Sequence, residues 1–366
     1  MAMSSTHRRV CWFDLDTGSL AESVQDLVVP LSGQALIPRL VGGRSDGADL
    51  RVSRDADGAE ELATDLRFLD RGAGEGLLDV LVPLAEPGVP LRLHVWTGLT
   101  GSEVRPAVGA PNGAGAVRAG YQMIAPLSAD PGAPFENLGS GGAVLRIAAN
   151  GPSRPAPLNR QAASFVGGSN EAYYIVTLNP GQTVTLEAWA MPDSLATGGT
   201  VIGIGNNVEH AQKASIRLVP DGAGGARWHA TARDAAENQV WLGGSGESAA
   251  AAGVWQHLML TIDNDGARFF VNGALTGEAL LGPFLTFTLG ALVRIGRLWA
   301  DTGPDSYFEG GISEARIYEG TRSNAWVGAY YRGLSGALLS GPEARVRPGR
   351  TLSVPARRSG IAVRAG

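Results

Sequence analysis

The chain has 366 residues, enough for two domains with separate cores, and carries a formal net charge of −5. Glycine (52) and proline (21) are both abundant while apolar residues stay at 44%, which favours many short strands and turns over long helices. The single cysteine, Cys11, excludes an internal disulfide framework; no apolar run approaches a membrane span, and the Met-Ala-Met-Ser-Ser start lacks a secretory core, so cytoplasmic synthesis without a membrane partner is expected.

Strand signals begin early. DLVVPL (Asp26 to Leu31), ADLRVSRDADG (Ala48 to Gly58), DLRFLD (Asp65 to Asp70), LLDVLVPL (Leu77 to Leu84) and PLRLHVW (Pro90 to Trp96) are short, alternating and bounded by Gly, Pro or Asp. They predict an N-terminal β-sandwich over residues 1–98. Residues 99–142 lapse into small, polar, Gly- and Pro-rich sequence, a connection of which part is expected to pack on a neighbour.

A second strand-rich block covers residues 143–334. It contains VTLEAWAMP (Val184 to Pro192), TVIGIG (Thr200 to Gly205), ASIRLVP (Ala214 to Pro220), ARWHATA (Ala226 to Ala232), ALVRIGRL (Ala291 to Leu298) and ISEARIY (Ile312 to Tyr318). The segment from Val254 to Gly277 predicts a three-strand meander. Leu258, Leu260 and Ile262 alternate with His257, Met259 and Thr261, and Phe269 and Val271 continue the apolar side after a turn at Asn264-Asp265-Gly266. Asn272-Gly273 makes the second turn. The apolar side is assigned to the core, and the other to whatever recognition exists. One short helix is expected, Ser323 to Leu334, with Ser323 as its cap, Trp326 and Tyr330 four apart, and Gly333 as a stop.

Residues 335–366 form a basic tail. Arg345, Arg347, Arg350, Arg357, Arg358 and Arg364 stand against one acid, Glu343, so the body before it carries about −10. Basic charge elsewhere is also almost wholly arginine, with Lys213 the one lysine. The acidic body disfavours nucleic-acid binding, and Arg345, Arg347, Arg350, Arg357 and Arg358 are assigned to contact with an acidic partner.

The second block resembles a laminin-G-like module of the concanavalin A-like lectin and glucanase superfamily. The residues that carry the resemblance are ASFVGGSNEAYYIV (Ala163 to Val176), VTLEAWAMPDS (Val184 to Ser194), GVWQHLMLTID with GARFFVNGALTG (Gly253 to Gly277), VRIGR (Val293 to Arg297) and FEGGISEARIYEG (Phe308 to Gly320). It implies two curved antiparallel sheets in a jelly roll. The first block resembles a small bacterial β-sandwich that often precedes such modules, through DGADLRVSRDADG, DLRFLD and LRLHVW. The tail segment RTLSVPARRSGIAVRAG (Arg350 to Gly366) is similar to repeats that end some bacteriophage particle proteins. The expected fold is all-β, with two β-sandwich domains in tandem and the second concanavalin A-like.

A glycoside hydrolase of this superfamily shows its carboxylates as a Glu-x-Asp-x-x-Glu strand. No such strand occurs; Glu187 and Glu314 are lone acids, expected at an edge or on an outward face, and no enzyme activity is expected. His7, His94, His210, His229 and His257 show no metal-ligand spacing. GIGNN (Gly203 to Asn207) reads as a strand end rather than a dinucleotide loop. Calcium is what the resemblance implies, since a hard cation needs several oxygens. The acids that the family shows after the first Phe and before the late Glu are replaced here by Val166 and Ser313, but Asp301, Asp305 and Glu309 remain as ligands in one loop. Sugar binding needs an exposed aromatic platform, for which Trp241, Trp299 and Tyr307 are the candidates in or beside loops; Trp189 and Trp255 are assigned to the core.

Together these features lead to the expectation of a virion structural protein of a bacteriophage, a surface decoration or tail-associated protein. It would be tied to capsid or tail proteins of the same particle, homo-oligomeric, and display a lectin-like sandwich to host surface glycans. The alternative is a non-catalytic bacterial carbohydrate-binding or adhesion protein.

Overall fold

A computed structural model describes residues 9–32, 44–70, 75–98, 104–127, 137–140, 144–147, 151–157, 162–166, 172–176, 183–206, 212–283, 291–297 and 307–346. The N-terminal strands are β1 (Arg9–Leu15), β2 (Val24–Ser32), β3 (Arg51–Ser53), β4 (Glu61–Leu62), β5 (Thr64–Asp70), β6 (Glu75–Ala85) and β7 (Leu91–Thr97). A one-turn helix α1 (Ala114–Val117) and β8 (Tyr121–Ala125) follow. The second half holds β9 (Val144–Ile147), β10 (Gly151–Arg154), β11 (Ala162–Val166), β12 (Ala172–Val176), β13 (Val184–Pro192), β14 (Gly199–Asn206), β15 (Gln212–Pro220), β16 (Ala226–Arg233) and β17 (Gln239–Gly243). It continues with β18 (Gln256–Ile262), β19 (Gly266–Val271), β20 (Ala274–Leu280), β21 (Ala291–Ile295), β22 (Glu309–Glu319), helix α2 (Asn324–Leu334) and β23 (Leu339–Val346).

Two sandwiches result. The N-terminal one packs a sheet of order β23-β1-β7-β3-β4 on a sheet of order β2-β6-β5. The second packs β10-β11-β22-β13-β18-β19-β20 against β17-β16-β15-β14-β21-β12-β9. Their shared core takes Leu258, Leu260, Ile262, Phe269 and Val271 from the expected meander, together with Trp228, Ile216 and Ile204 from the facing sheet. The meander's turns work as the sequence implies: Asp263 Oδ1 accepts the amides of Asp265 and Gly266 at 2.9 Å. Asn272 and Gly273 adopt φ of 52° and 76°, the pair of left-handed residues that a tight hairpin needs.

The other side of the meander is not free for recognition, as expected from sequence, but covered. His257, Met259, Thr261 and Phe270 are all buried. Met259, Phe270 and Trp189 join Trp326, Val327, Tyr330 and Leu334 of α2 and the N-terminal core residues Leu27, Val29, Val80 and Val95 in one continuous cluster. A sheet polar on one side and apolar on the other would leave that face to water; here both faces are buried because α2 and the first sandwich lie against it.

Two segments expected as connection and tail enter the folded body. In the connection, β8 pairs with β22 through Ala125↔Ala315 and Ile317↔Met123. At the start of the tail, β23 pairs with β1 through Val10↔Arg345 and Leu15↔Leu339, so the chain's late residues complete its first sheet. Arg345, expected to meet a partner, is thus a residue of an edge strand. Arg347, Arg350, Arg357 and Arg358 lie outside the described residues.

Candidate functional site

Two polar constellations stand out, one around an exposed indole and one buried. The first is built on the seven-stranded sheet. Inward positions of β15 and β16 (Ala214, Ile216, Leu218, Trp228, Ala230, Ala232) fill the core, so alternation sends Ser215, Arg217, His229 and Thr231 to the other side. Antiparallel register then places Trp241 of β17 beside Thr231, Thr231 beside Ser215, and His229 beside Arg217.

Trp241 is 54% exposed. The Arg217 guanidinium lies 5.7 Å from its ring centroid, and the His229 ring meets it edge-on at 6.1 Å. A hydroxyl pair, Ser215 Oγ and Thr231 Oγ1 at 2.9 Å, lies alongside. His229 is held neutral: burial lowers its pKa first, and the Arg217 and Arg227 charges add to that. The hairpin end after Trp241 depends on Gly243 at φ 85°, where a Cβ would come within 2.5 Å of the Trp228 carbonyl. Ser215 and Thr231 are 0% and 2% exposed, so the part of this cluster that reaches the surface is the indole with the half-buried Arg217 and His229 beside it, an apolar plane with nitrogen donors at its side.

Tyr307 belongs to the same sheet end. Its backbone bridges Thr200 and Arg297, and Thr200 pairs with Arg217; the Arg297 guanidinium stands 4.8 Å from the Tyr307 ring. Four strand spacings separate Tyr307 from β17, about 20 Å. Of the three aromatic candidates, Trp241 and Tyr307 lie at the same sheet but at this separation do not form one platform. Trp299 lies outside the described residues.

The loop expected to hold calcium is described only at Glu309, since Asp301 and Asp305 lie outside. Glu309 Oε2 accepts a hydrogen bond from Thr197 Oγ1 at 3.1 Å, and among the described residues no group of three His, Cys, Asp or Glu side chains is placed to hold a metal.

The buried constellation was missed from sequence. Glu187 and Glu314, expected at an edge or facing outward, are 2% and 0% exposed. Glu187 Oε1 and His257 Nε2 lie 3.1 Å apart. Glu314 accepts from Arg67 of the first sandwich at 3.1 Å and from Arg316 at 2.6 Å, and Arg316 donates to the Tyr330 hydroxyl of α2 at 2.6 Å. Asp79 lies 3.5 Å from Arg67.

A bulge turns Glu314 inward. Between Glu187↔Arg316 and Trp189↔Ser313, β22 carries one residue more than β13, and Glu314 sits there at φ 51°. A bulge re-aims a side chain. It puts the carboxylate into the joint between the sandwiches, while Ile312, Ala315 and Ile317 stay in the core. The spacing of three between Ile312 and Ala315, where a plain strand gives two, is the sequence signal that marks it. Both acids are closed off among cations at this joint rather than presented to a cleft.

Residues 167–328 match the laminin G family model described as the concanavalin A-like lectin/glucanases superfamily. The C-terminal half carries a concanavalin A-like domain. Trp241, Arg217 and His229 therefore belong to the outer face of a lectin-like sandwich. No curated protein matches the chain significantly. Among solved structures, the chain is similar to a native heptameric SAP-like pentraxin from Limulus polyphemus, at 14% identity and a TM-score of 0.39 over 46% of this chain and 80% of that one. It is similar to domain 4 of an extracellular arabinanase from Geobacillus stearothermophilus in complex with arabinotriose, at 22% identity and a TM-score of 0.40 over 58% and 98%. It is also similar to the receptor binding domain of botulinum neurotoxin D, at 12% identity and a TM-score of 0.42 over 58% of this chain and 52% of that one.

Proposed function

We propose that this protein binds a glycan without catalysis, on the outer face of the seven-stranded sheet around Trp241. The observation that carries the reading is the 54% exposure of an indole on a regular strand, held between Arg217 and His229. An aromatic plane of this size gains stability from burial, and its exposure on a rigid hairpin leaves that gain to a ligand. The match to a superfamily of lectins and glucanases supports it, and so does the burial of Glu187 and Glu314 away from any open surface. The test is a glycan array followed by calorimetry of each ligand retained. Trp241→Ala is expected to weaken binding tenfold or more, about 1.4 kcal/mol. An array with no retained glycan would remove the reading.

The setting in which we place this binding is the surface of a bacteriophage particle, where the chain serves as a decoration or tail-associated protein and homo-oligomer. What supports it is the contrast between the acidic body and the arginines at 345, 347, 350, 357 and 358, which suit an acidic face of a capsid or tail protein, together with the likeness of the closing segment to repeats of particle proteins. Mass spectrometry of gradient-purified particles is expected to find the chain at fixed stoichiometry to the major capsid protein. Its recovery in the soluble fraction alone would leave the free carbohydrate-binding protein as the better account.

A further inference from the structure

We propose that His229 is the specificity-determining contact at Trp241 and that the saccharide it selects is an uncharged one, held through a ring hydroxyl; this rests on the glycan reading above. The cations of the sheet are already engaged. Arg227 donates to the Ser245 carbonyl at 2.7 Å, Arg233 donates to Gln239 at 3.0 Å and pairs with Glu237, and Lys213 pairs with the same Glu237. Arg217 and Arg294 have interactions of their own, and the Ser215 and Thr231 hydroxyls are buried against each other. None of these groups is left over for an acid group of a ligand.

What stands at the edge of the exposed indole is the half-buried His229, its ring centroid 6.1 Å away and its plane turned by 78°. Its Nδ1 is buried without a hydrogen-bond partner. The other nitrogen, Nε2, lies toward Gly244, where φ is 79° and a Cβ would stand 2.6 Å from Cε1 and 3.2 Å from Nε2. Glycine at that turn leaves the ring edge uncovered. The charged groups that act on His229 are Arg217, its register partner on β15, and Arg227 on its own strand. Strand β17 places Gly243 opposite it and carries no titratable residue, and β14 adds Thr200 beyond Arg217. Of the acids around β17, Glu237 is paired with Lys213 and Arg233, Asp234 accepts from Asn238, and Glu247 is exposed in the single turn Gly246–Ser248 that follows.

The imidazolium form would carry an N–H at the buried Nδ1 with no acceptor, and a charge beside two arginines. Burial first, then Arg217 and Arg227, hold its pKa below the ordinary histidine value. A neutral imidazole has one donor and one acceptor. A sugar hydroxyl both donates and accepts, so it pairs with the open nitrogen in either tautomer; a carboxylate or sulfate pairs in only one. The C–H face of an uncharged ring then rests on the Trp241 plane while one of its hydroxyls meets His229, with no charge brought to a place where the guanidinium groups are committed.

The experiment titrates the full chain by calorimetry with dextran, mannan, galactan and xylan, and with polygalacturonate, polysialic acid and chondroitin sulfate. At least one neutral polymer is expected to bind about tenfold tighter than every acidic one. His229→Ala should weaken that binding about tenfold at unchanged melting temperature, and His229→Gln, which keeps a donor and an acceptor, should retain most of it. The binding form of His229 is the neutral one, present above its lowered pKa and lost as pH falls through it. Affinity of the parent should therefore fall between pH 7 and pH 4, while that of His229→Gln stays level. Unchanged binding in both His229 variants, with Trp241→Ala still disrupting it, overturns the role of His229 and leaves the glycan reading standing. So does a loss in His229→Ala that comes with a lower melting temperature and a pH profile that His229→Gln does not level. Retention of acidic saccharides alone overturns the uncharged class and likewise leaves the glycan reading. No retention of any polymer here or of any glycan on a broad array overturns both.

Discussion

A carboxylate with no exposed surface must be held by cations, and Glu314 takes two, Arg67 from the first sandwich and Arg316 from its own strand. Burial opposes the charge on Arg316, and the carboxylates of Glu314 and Glu187 favour it, while the Tyr330 hydroxyl accepts its hydrogen bond. Removing Glu314 takes from Arg67 its 3.1 Å partner and from Arg316 its 2.6 Å partner in a dry joint. Glu314→Ala is therefore expected to cost about 3–5 kcal/mol, read as a fall in the urea midpoint at pH 7. Asp79 behaves differently. Burial pushes its pKa up to about 6 despite Arg67 and Arg316, because its 3.5 Å contact with Arg67 is long and Arg67 is committed to Glu314 at 3.1 Å. A carboxyl whose folded pKa lies above its unfolded value stabilises the fold below about pH 4 and loses that contribution as pH rises through about 6. Asp79→Asn is expected to be more stable than the parent at pH 8 and equal to it near pH 4, by chemical unfolding at both pH values. Glu187 titrates with the opposite sign. Burial raises its pKa, but Arg316, His257 and Tyr330 lower it further, so its contribution is present above the ordinary carboxylate range and lost in acid.

At the scale of elements, helix α2 shows how far local chemistry carries. Ser323 accepts from the Trp326 amide at 3.1 Å, and Ser323→Ala is expected to cost about 1 kcal/mol of stability. The sequence names that cap, the helix length and the face formed by Trp326 and Tyr330. It does not name what they pack on: Trp326 Nε1 donates to the Asp26 carbonyl at 3.2 Å, 300 residues away in the chain, and Arg322 stacks between Tyr318 and Trp326 with ring centroids at 3.7 and 4.2 Å. Strands with clean alternation were equally legible, among them β13, β16 and the meander, as was the exposed Trp241 at a hairpin edge. Strand β23 was not, because Gly341 and Pro342 break its alternation at the irregularity opposite Trp12 and Asp14, a position that an edge strand tolerates. The buried joint stayed hidden for a related reason. Periodicity identifies the two faces of β18 but carries no information about a second body covering the polar one, and the bulge at Glu314 shifts a carboxylate across faces by one residue.

Over the whole molecule, the N-terminal sandwich is assembled from both ends of the described chain. Its first strand lies between β7 and β23, Asp16 donates its amide to the Leu338 carbonyl at 2.8 Å, and Arg332 reaches the Ser19 carbonyl at 3.0 Å. Its core continues through α2 into Trp189, Met259 and Phe270 on the back of the second sandwich. A body whose core crosses the boundary between two lobes has no weak plane along which one could unfold alone, so urea transitions followed by tryptophan fluorescence and by far-ultraviolet circular dichroism should coincide. Ending the chain at Leu338, compared with ending it at Val346, removes β23 and strips β1 of the partner that covers its edge. An uncovered strand edge both loses ladder bonds and offers a template for association. The shorter chain is expected to unfold at lower urea, with the two probes separating as the first lobe loosens before the second, and to associate at concentrations where the longer one stays monodisperse by light scattering. Coincident transitions at an unchanged midpoint in the shorter chain would show that the first sheet closes without its C-terminal strand, and that α2 alone couples the lobes.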